Sequence, residues 1–125
     1  MEGASGAGGA DLSGTADTIG WDDFIRVALC VGTVQKVEPF PEARRPAWKV
    51  WVDFGPHGVK KTSAQIRSLY APEDLVGRQI VGVINFPPKQ VGPFMSEFLL
   101  TGFHTDEGVV ITTVERRVPD GTRMA

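Results

Sequence analysis

A pair of prolines, Pro87-Pro88, stands directly behind the most apolar run in the chain, Ile80-Val81-Gly82-Val83-Ile84, and narrows the fold more than any other feature. β-Branched residues in an unbroken run suit a strand covered on both faces. Each proline fixes φ and lacks a backbone donor, so the strand must end near Asn85 and the chain must leave in an extended turn. An amide (Asn85) and a phenyl ring (Phe86) are thereby held at a strand end on stiff backbone. Two readings stay open there. Either the pair binds a ligand by hydrogen bonding and stacking, or Asn85 caps the turn and Phe86 plugs the bottom of a core.

The segments around this strand are short and alternate. In Trp48-Lys49-Val50-Trp51-Val52-Asp53-Phe54, residues Trp48, Val50, Val52 and Phe54 face one way and Lys49, Trp51 and Asp53 the other, the period of a half-buried strand. Val27 to Val37 reads as a longer strand, interrupted at Gly32 where a bend or bulge would let a sheet curl. Gly55 to Gly58 is turn chemistry, and Val59 to Thr62 pairs back as a hairpin. The spacing of Ile66, Leu69 and Tyr70 predicts a helix over residues 63–70 with Ser63 as its cap, followed by a second helical turn from Ala71 to Gly77. Further strands are expected at Arg78 to Asn85, Ser96 to Phe103 and Val109 to Val114, and a Pro119-Asp120-Gly121 turn leads to a last short one. Before them all, Asp22 or Asp23 caps a short helix, Trp21 to Val27, with Trp21 and Phe24 on one face. The sum is an all-β chain: a five-stranded OB-fold Greek-key barrel with a helical segment between strands 3 and 4 and an N-terminal helical turn.

At 125 residues the chain has material for one core. Residues 1–20 are rich in Gly, Ala, Ser and Thr with little to bury, so they read as a flexible tail, and the domain runs from 21 to 125. The formal charge of −2 is uneven: residues 1–20 hold three of the 15 acids and no base, leaving 12 acids against 13 bases in the domain. That balance gives no strong field but allows a local basic face. One cysteine, Cys30, excludes an internal disulfide and reads as a small packing residue among Val27, Leu29 and Val31. No apolar run approaches the roughly 18 residues of a membrane span, and the N-terminus has neither the basic patch nor the apolar block of a signal peptide, so a cytoplasmic protein is expected.

Chemistry is sparse. His57 and His104 sit beside turn signals and away from any second His or Cys at metal-ligand spacing, so neither zinc nor any other cofactor is expected. No Gly-rich phosphate loop is present, and nothing brings Cys30 to a histidine, so the chain reads as a binding protein rather than an enzyme. What remains is a surface: Lys49 and Trp51 outward on one strand, Lys60 and Lys61 on its partner, and Lys89 after the double proline. Basic side chains beside aromatic rings suit single-stranded nucleic acid, a peptide groove, or a solvated barrel face with Trp51 at a subunit contact.

Five blocks then add specificity: Phe40-Pro41-Glu42-Ala43-Arg44, Asp53-Phe54-Gly55, Ser63-Ala64-Gln65-Ile66, Asn85-Phe86-Pro87-Pro88 and Val118-Pro119-Asp120-Gly121-Thr122. In order and spacing they resemble the bacterial CsaA proteins, within the tRNA-binding-domain group that includes the C-terminal module of methionyl-tRNA synthetases. The resemblance implies a homodimer closed through the N-terminal helical segment and the C-terminal region. It implies a chaperone that binds unfolded or exported polypeptides and works with the Sec translocase ATPase, SecA; the alternative is a free-standing tRNA-binding protein. It places the polypeptide- or tRNA-binding surface on Ser63, Gln65, Asn85, Phe86 and Ser96, with Lys49, Lys60, Lys61 and Lys89 around them. Trp51 belongs to the same set by its position, and Phe94, with Met95 and Phe98, would add apolar adhesion. The chain departs from the group at Ala28-Leu29-Cys30, where a charged triplet is usual, and at Gln90 and Met95, where bases are common. Each lost positive charge removes a phosphate contact, which favours polypeptide over tRNA.

Overall fold

The structure, a computed structural model, describes residues 16–125; most of the stretch expected as a flexible tail lies outside the described residues. Helix α1 (Trp21–Ile25) leads into β1 (Leu29–Pro39), β2 (Trp48–Asp53), a single 3-10 turn (Gly55–His57) and β3 (Val59–Ala64). Helix α2 (Pro72–Leu75) precedes β4 (Gln79–Val83), β5 (Lys89–Val91), β6 (Phe94–Ser96), β7 (Leu99–Leu100), β8 (Gly102–Thr105) and β9 (Gly108–Ile111).

Five strands form one antiparallel sheet in the order β3-β2-β1-β4-β7, while β5-β6 and β8-β9 are separate hairpins. The sheet curls until its edges nearly meet. Glu97 N donates to Lys61 O at 2.8 Å, Lys61 N donates to Glu97 Oε1 at 3.0 Å, and Thr62 Oγ1 donates to Phe98 O at 2.7 Å. The result is the nearly closed OB-type barrel that the alternation and strand count implied, with α2 between the third and fourth strands.

β1 makes the curl possible by serving two neighbours: Leu29 to Thr33 pair with β4, and Thr33 to Pro39 with β2. At the changeover lies Gly32, where an added Cβ would stand 2.5 Å from Val52 Cγ1 and 2.8 Å from Asp53 O. No larger residue lets the strands cross so closely. The bulge itself falls just beyond, at Gln35, where the register shifts between Val34 and Lys36.

The alternation of β2 is realised: Trp48, Val50, Val52 and Phe54 are buried and the residues between them are half-buried. Phe54 meets Phe98 edge to face at 5.0 Å, at the heart of a core that includes Ile66, Leu75 and Ile80. Burial of each such side chain contributes roughly 1.5–3 kcal/mol.

Three expectations need correction. No helix forms over residues 63–70. Instead β3 continues through Ala64, and the following turn drops Ile66 fully into the core. Tyr70 there accepts twice, its carbonyl from Trp48 Nε1 at 2.8 Å and its hydroxyl from Ile111 N at 3.2 Å. Tertiary bonding thus overrides the helical spacing. The strand expected at Ser96 to Phe103 is split into β7 and β8 around Thr101, whose N and Oγ1 both donate to Val81 O. The segment Lys89 to Ser96, given no strands by the pattern, is the β5-β6 hairpin, turning at Gly92-Pro93.

The last residues are a strap along β1. Val31 N donates to Thr122 O at 2.9 Å and Met124 N to Leu29 O at 2.7 Å. Buried Gln79 holds the strap with both ends of its amide: Nε2 donates to Val118 O at 2.7 Å, and Oε1 accepts from Val118 N at 3.1 Å.

Candidate functional site

Two surfaces collect the residues singled out by the sequence. The first is the outward face of β1, β2 and β3. Antiparallel pairing sets Lys36 opposite Trp51, Glu38 opposite Lys49, Lys49 opposite Ser63 and Trp51 opposite Lys61, so all of these share one face. Phe94, brought back by the β5-β6 hairpin, packs there with Phe40 and Ala47 in a small second core, only 7% exposed. Its ring lies 5.4 Å from that of Phe40 and 6.1 Å, edge-on, from that of Trp51.

Three ammonium groups close over this cluster. Lys36 Nζ lies 4.4 Å from the centre of the Trp51 ring. Lys49 Nζ lies 5.1 Å from Phe40 and 5.4 Å from Phe94, and Lys61 Nζ is 5.1 Å from Phe94. These are cation–π distances, and the lysine stems add apolar cover while the heads stay in water. Glu38 is the one carboxylate among these paired residues, 3.0 Å from Lys36.

Sequence reasoning named Lys49, Trp51, Lys61, Ser63 and Phe94 here but missed Lys36 and the role of Phe40. Lys36 is invisible without the β1-β2 register, because the bulge at Gln35 changes which residue faces Trp51. Lys60 is separated from the group: it pairs with Val52 and shares the inward parity of Thr62 and Ala64 at the barrel end. Ser96 sits at the seam, its Oγ 2.7 Å from Thr62 Oγ1, with Lys89 across the hairpin. Gln65 follows β3 and is half-buried.

The second surface surrounds the α1-β1 connection. Asn85 spends its amide on backbone there: Oδ1 accepts from Ala28 N at 2.9 Å and Nδ2 donates to Arg26 O at 2.7 Å. Arg123 of the strap donates to Ile25 O. These bonds pin α1 against the barrel, and its start is closed by Gly20 N donating to Asp23 Oδ2 at 3.1 Å. Phe86 is 47% exposed and lines an open depression with Asp23, Arg26, Val27 and Asn85. Val27 is exposed too, as are Ile19 ahead of α1, Trp21 and Ile25 on it, and Met124 in the strap, Trp21 at 62%. Trp48 is buried and Trp51 half-buried, so Trp21 is the tryptophan left to water.

Cys30 lies beneath this region, buried, and burial pushes its thiol above the ordinary value while nearby Arg123 pulls the other way. A neutral, packed thiol results. No group of three or more His, Cys, Asp or Glu able to hold a metal occurs among the described residues, and no helix among them is long and apolar enough to cross a membrane.

The nearly closed barrel and its basic, aromatic sheet face agree in class with what sequence comparison finds: residues 29–123 match the "Putative tRNA binding domain" family, to which the chain belongs. Within that family it is CsaA-like. The solved chaperone CsaA of Bacillus anthracis is 44% identical, with a TM-score of 0.82 over 87% of this chain and all of that one. CsaA of Picrophilus torridus is 37% identical, with a TM-score of 0.81 over 86% of this chain and all of that one. The methionine–tRNA ligase of Salinibacter ruber is 33% identical over 112 residues, which are 90% of this chain but 14% of the ligase. The matched regions are a tRNA-binding domain and CsaA chaperones, not catalytic domains.

Proposed function

We propose that this protein is a chaperone that holds unfolded or exported polypeptides and works as a homodimer. The observation that carries the reading is exposed apolar surface at the α1-β1 connection: Val27 and Phe86 line a depression there, and Trp21 and Ile25 of α1 and Met124 of the strap are also exposed. Bare apolar surface of this kind gains free energy by taking up an apolar segment or a second subunit. The family resemblance assigns α1 and the C-terminal region to the subunit contact, which leaves the Phe86 depression and the adjoining barrel surface for the client. The likeness to two CsaA chaperones over their full lengths supports the same reading. The export step and SecA as a partner follow from the resemblance alone.

The test is suppression of aggregation of a chemically unfolded, labelled client. Wild type is expected to hold the client in solution and F86S to lose most of that effect while the barrel stays folded. A folded F86S variant with unchanged capture overturns the assignment.

A second reading, tRNA binding, is supported by a different observation, the three lysines over the Phe40-Trp51-Phe94 cluster. Titration of labelled tRNA across a salt series separates the two. Nanomolar affinity with a steep salt slope makes RNA the principal ligand, whereas weak, shallow binding leaves the polypeptide reading in place.

A further inference from the structure

We propose that the outward face of β1, β2 and β3 is a subsite for single-stranded RNA in which an unpaired base stacks on the Trp51 indole, in the place taken by the Lys36 ammonium. Lys36, Lys49 and Lys61 then turn to the flanking phosphates. The inference rests on the second reading above and deepens it.

Charge and shape argue for this occupant together. Lys36, Lys49 and Lys61 stand over the aromatic cluster with Glu38 as the carboxylate beside them, while Asp53 at the far end of β2 accepts from Gly55 N and Glu97 from Lys61 N, so the part of the face around Trp51 is cationic and complementary to a polyanion. Phe40 and Phe94 are buried, so the ring within reach of a ligand is Trp51, which is half-buried and carries Lys36 Nζ at 4.4 Å. An ammonium over an indole marks a ring face with room above it. Base stacking is a stronger contact than a solvated cation–π pair, and the displaced ammonium is not wasted because each phosphate needs a counter-charge. An acidic peptide would use the same lysines but could leave Lys36 over the ring, since a carboxylate asks for the ammonium and not for the indole.

Glu38 acquires a role from the same geometry. Its carboxylate, 3.0 Å from Lys36 Nζ and opposite Lys49 across the strands, holds the cover in place and repels an incoming phosphate. It is a positioning residue that weakens RNA binding, so its neutralisation should strengthen it.

The experiment is titration of a labelled oligouridylate into the full chain over a salt series, with polyglutamate as the comparison ligand. W51L is expected to weaken RNA binding by about tenfold with an unchanged salt slope, and W51F by much less. E38Q is expected to tighten it by about threefold. K36Q is expected to lower the slope by about 0.7, one phosphate contact on a single strand. Polyglutamate is expected to bind more weakly and to be indifferent to W51L. W51L opens a gap beside Phe94, so its fold is checked by denaturation, and E38Q, on an exposed side chain, supplies a gain that misfolding cannot mimic. RNA binding that ignores W51L, W51F and E38Q overturns the base subsite and leaves the RNA reading standing. Absence of RNA binding by wild type at about 50 mM salt removes the RNA reading itself. Polyglutamate binding as tight as that of RNA makes the face a general polyanion surface and also overturns the subsite.

Discussion

Around Trp51 the aromatic rings lie beneath cations, whereas around Trp21 and Phe86 they lie open to water. The two regions use the same residue types, and their backbones explain the difference. On the sheet face, the β5-β6 hairpin folds Phe94 onto Phe40, and strand pairing brings Lys36, Lys49 and Lys61 over the result. At the α1 edge the contacts that hold the chain are polar ones to backbone, from Asn85 and Arg123, and they fix the position of α1 without covering its side chains. A covered cluster offers charge and one ring. An open one offers apolar area. One small barrel therefore presents two surfaces of opposite character, one cationic and one apolar.

The sharpest way to break this contrast is to truncate one ring from each region. Phe94 is 7% exposed and Phe86 47%. Phe94→Ala is expected to destabilise the barrel by about 3 kcal/mol, in the range for a buried Phe, and Phe86→Ala by no more than about 0.5 kcal/mol. Urea denaturation of both variants checks this. Equal losses would mean that the two rings are not differently housed. The same numbers rule out a combined Phe86 and Phe94 substitution as a clean probe of client capture, because its loss of binding could be loss of fold.

Next in size is the effect of the open edge on association. Trp21→Ser with Ile25→Ser, both on α1, is expected to shift the proposed dimer to monomer at micromolar concentration, a loss of about 2 kcal/mol or more in association, as large apolar anchors at an interface give. Sedimentation equilibrium measures it. Lys49→Gln with Lys61→Gln on the covered face is expected to leave association unchanged. A dimer that survives the first pair and fails with the second reverses the assignment of the two faces.

How far the sequence revealed these regions differs in the same way. Strands β1, β2 and β4 and the barrel were legible because a period of two and a β-branched run each follow from local burial. The placing of Phe94 was not. Phe86 and Phe94 both lie near prolines, and only the hairpin turning at Gly92 folds one of them inward; the Gly92-Pro93 pair was a turn signal that could have disclosed it. Lys36 depended on a bulge one residue long, and the helix expected at 63–70 gave way to two long-range bonds at Tyr70 that no local pattern contains. Of the two readings left open for the strand end, the structure has Asn85 bound to the α1-β1 backbone and Phe86 in solvent.

Asn85 supplies a smaller test, of whether α1 is held by polar pins. Asn85→Ala leaves Ala28 N and Arg26 O without their side-chain partner, for which about 1 kcal/mol is expected at a solvent-accessible site. The loss is expected to be local. Hydrogen exchange in residues 20–28 should quicken while exchange in β2 and β4 stays as in wild type. Uniform acceleration throughout the barrel would show that the connection is part of the core rather than an edge attached to it.

The smallest expected effect concerns the cover itself. Lys36 and Glu38 are about half exposed, and an ion pair in that setting contributes about 0.2–1 kcal/mol, reduced further by salt. The cation–π contact with Trp51 adds a similar amount, but removing the Lys36 ammonium also relieves its repulsion with the neighbouring ammonium groups of the face. Lys36→Gln is therefore expected to change stability by about 0.5 kcal/mol or less, with the difference vanishing at about 1 M salt. Denaturation at low and high salt measures it against the Phe94→Ala value. A loss above about 1.5 kcal/mol would mean that the ammonium is a structural lid, one that no stacking ligand displaces cheaply, and the covered face would then be closed to a base.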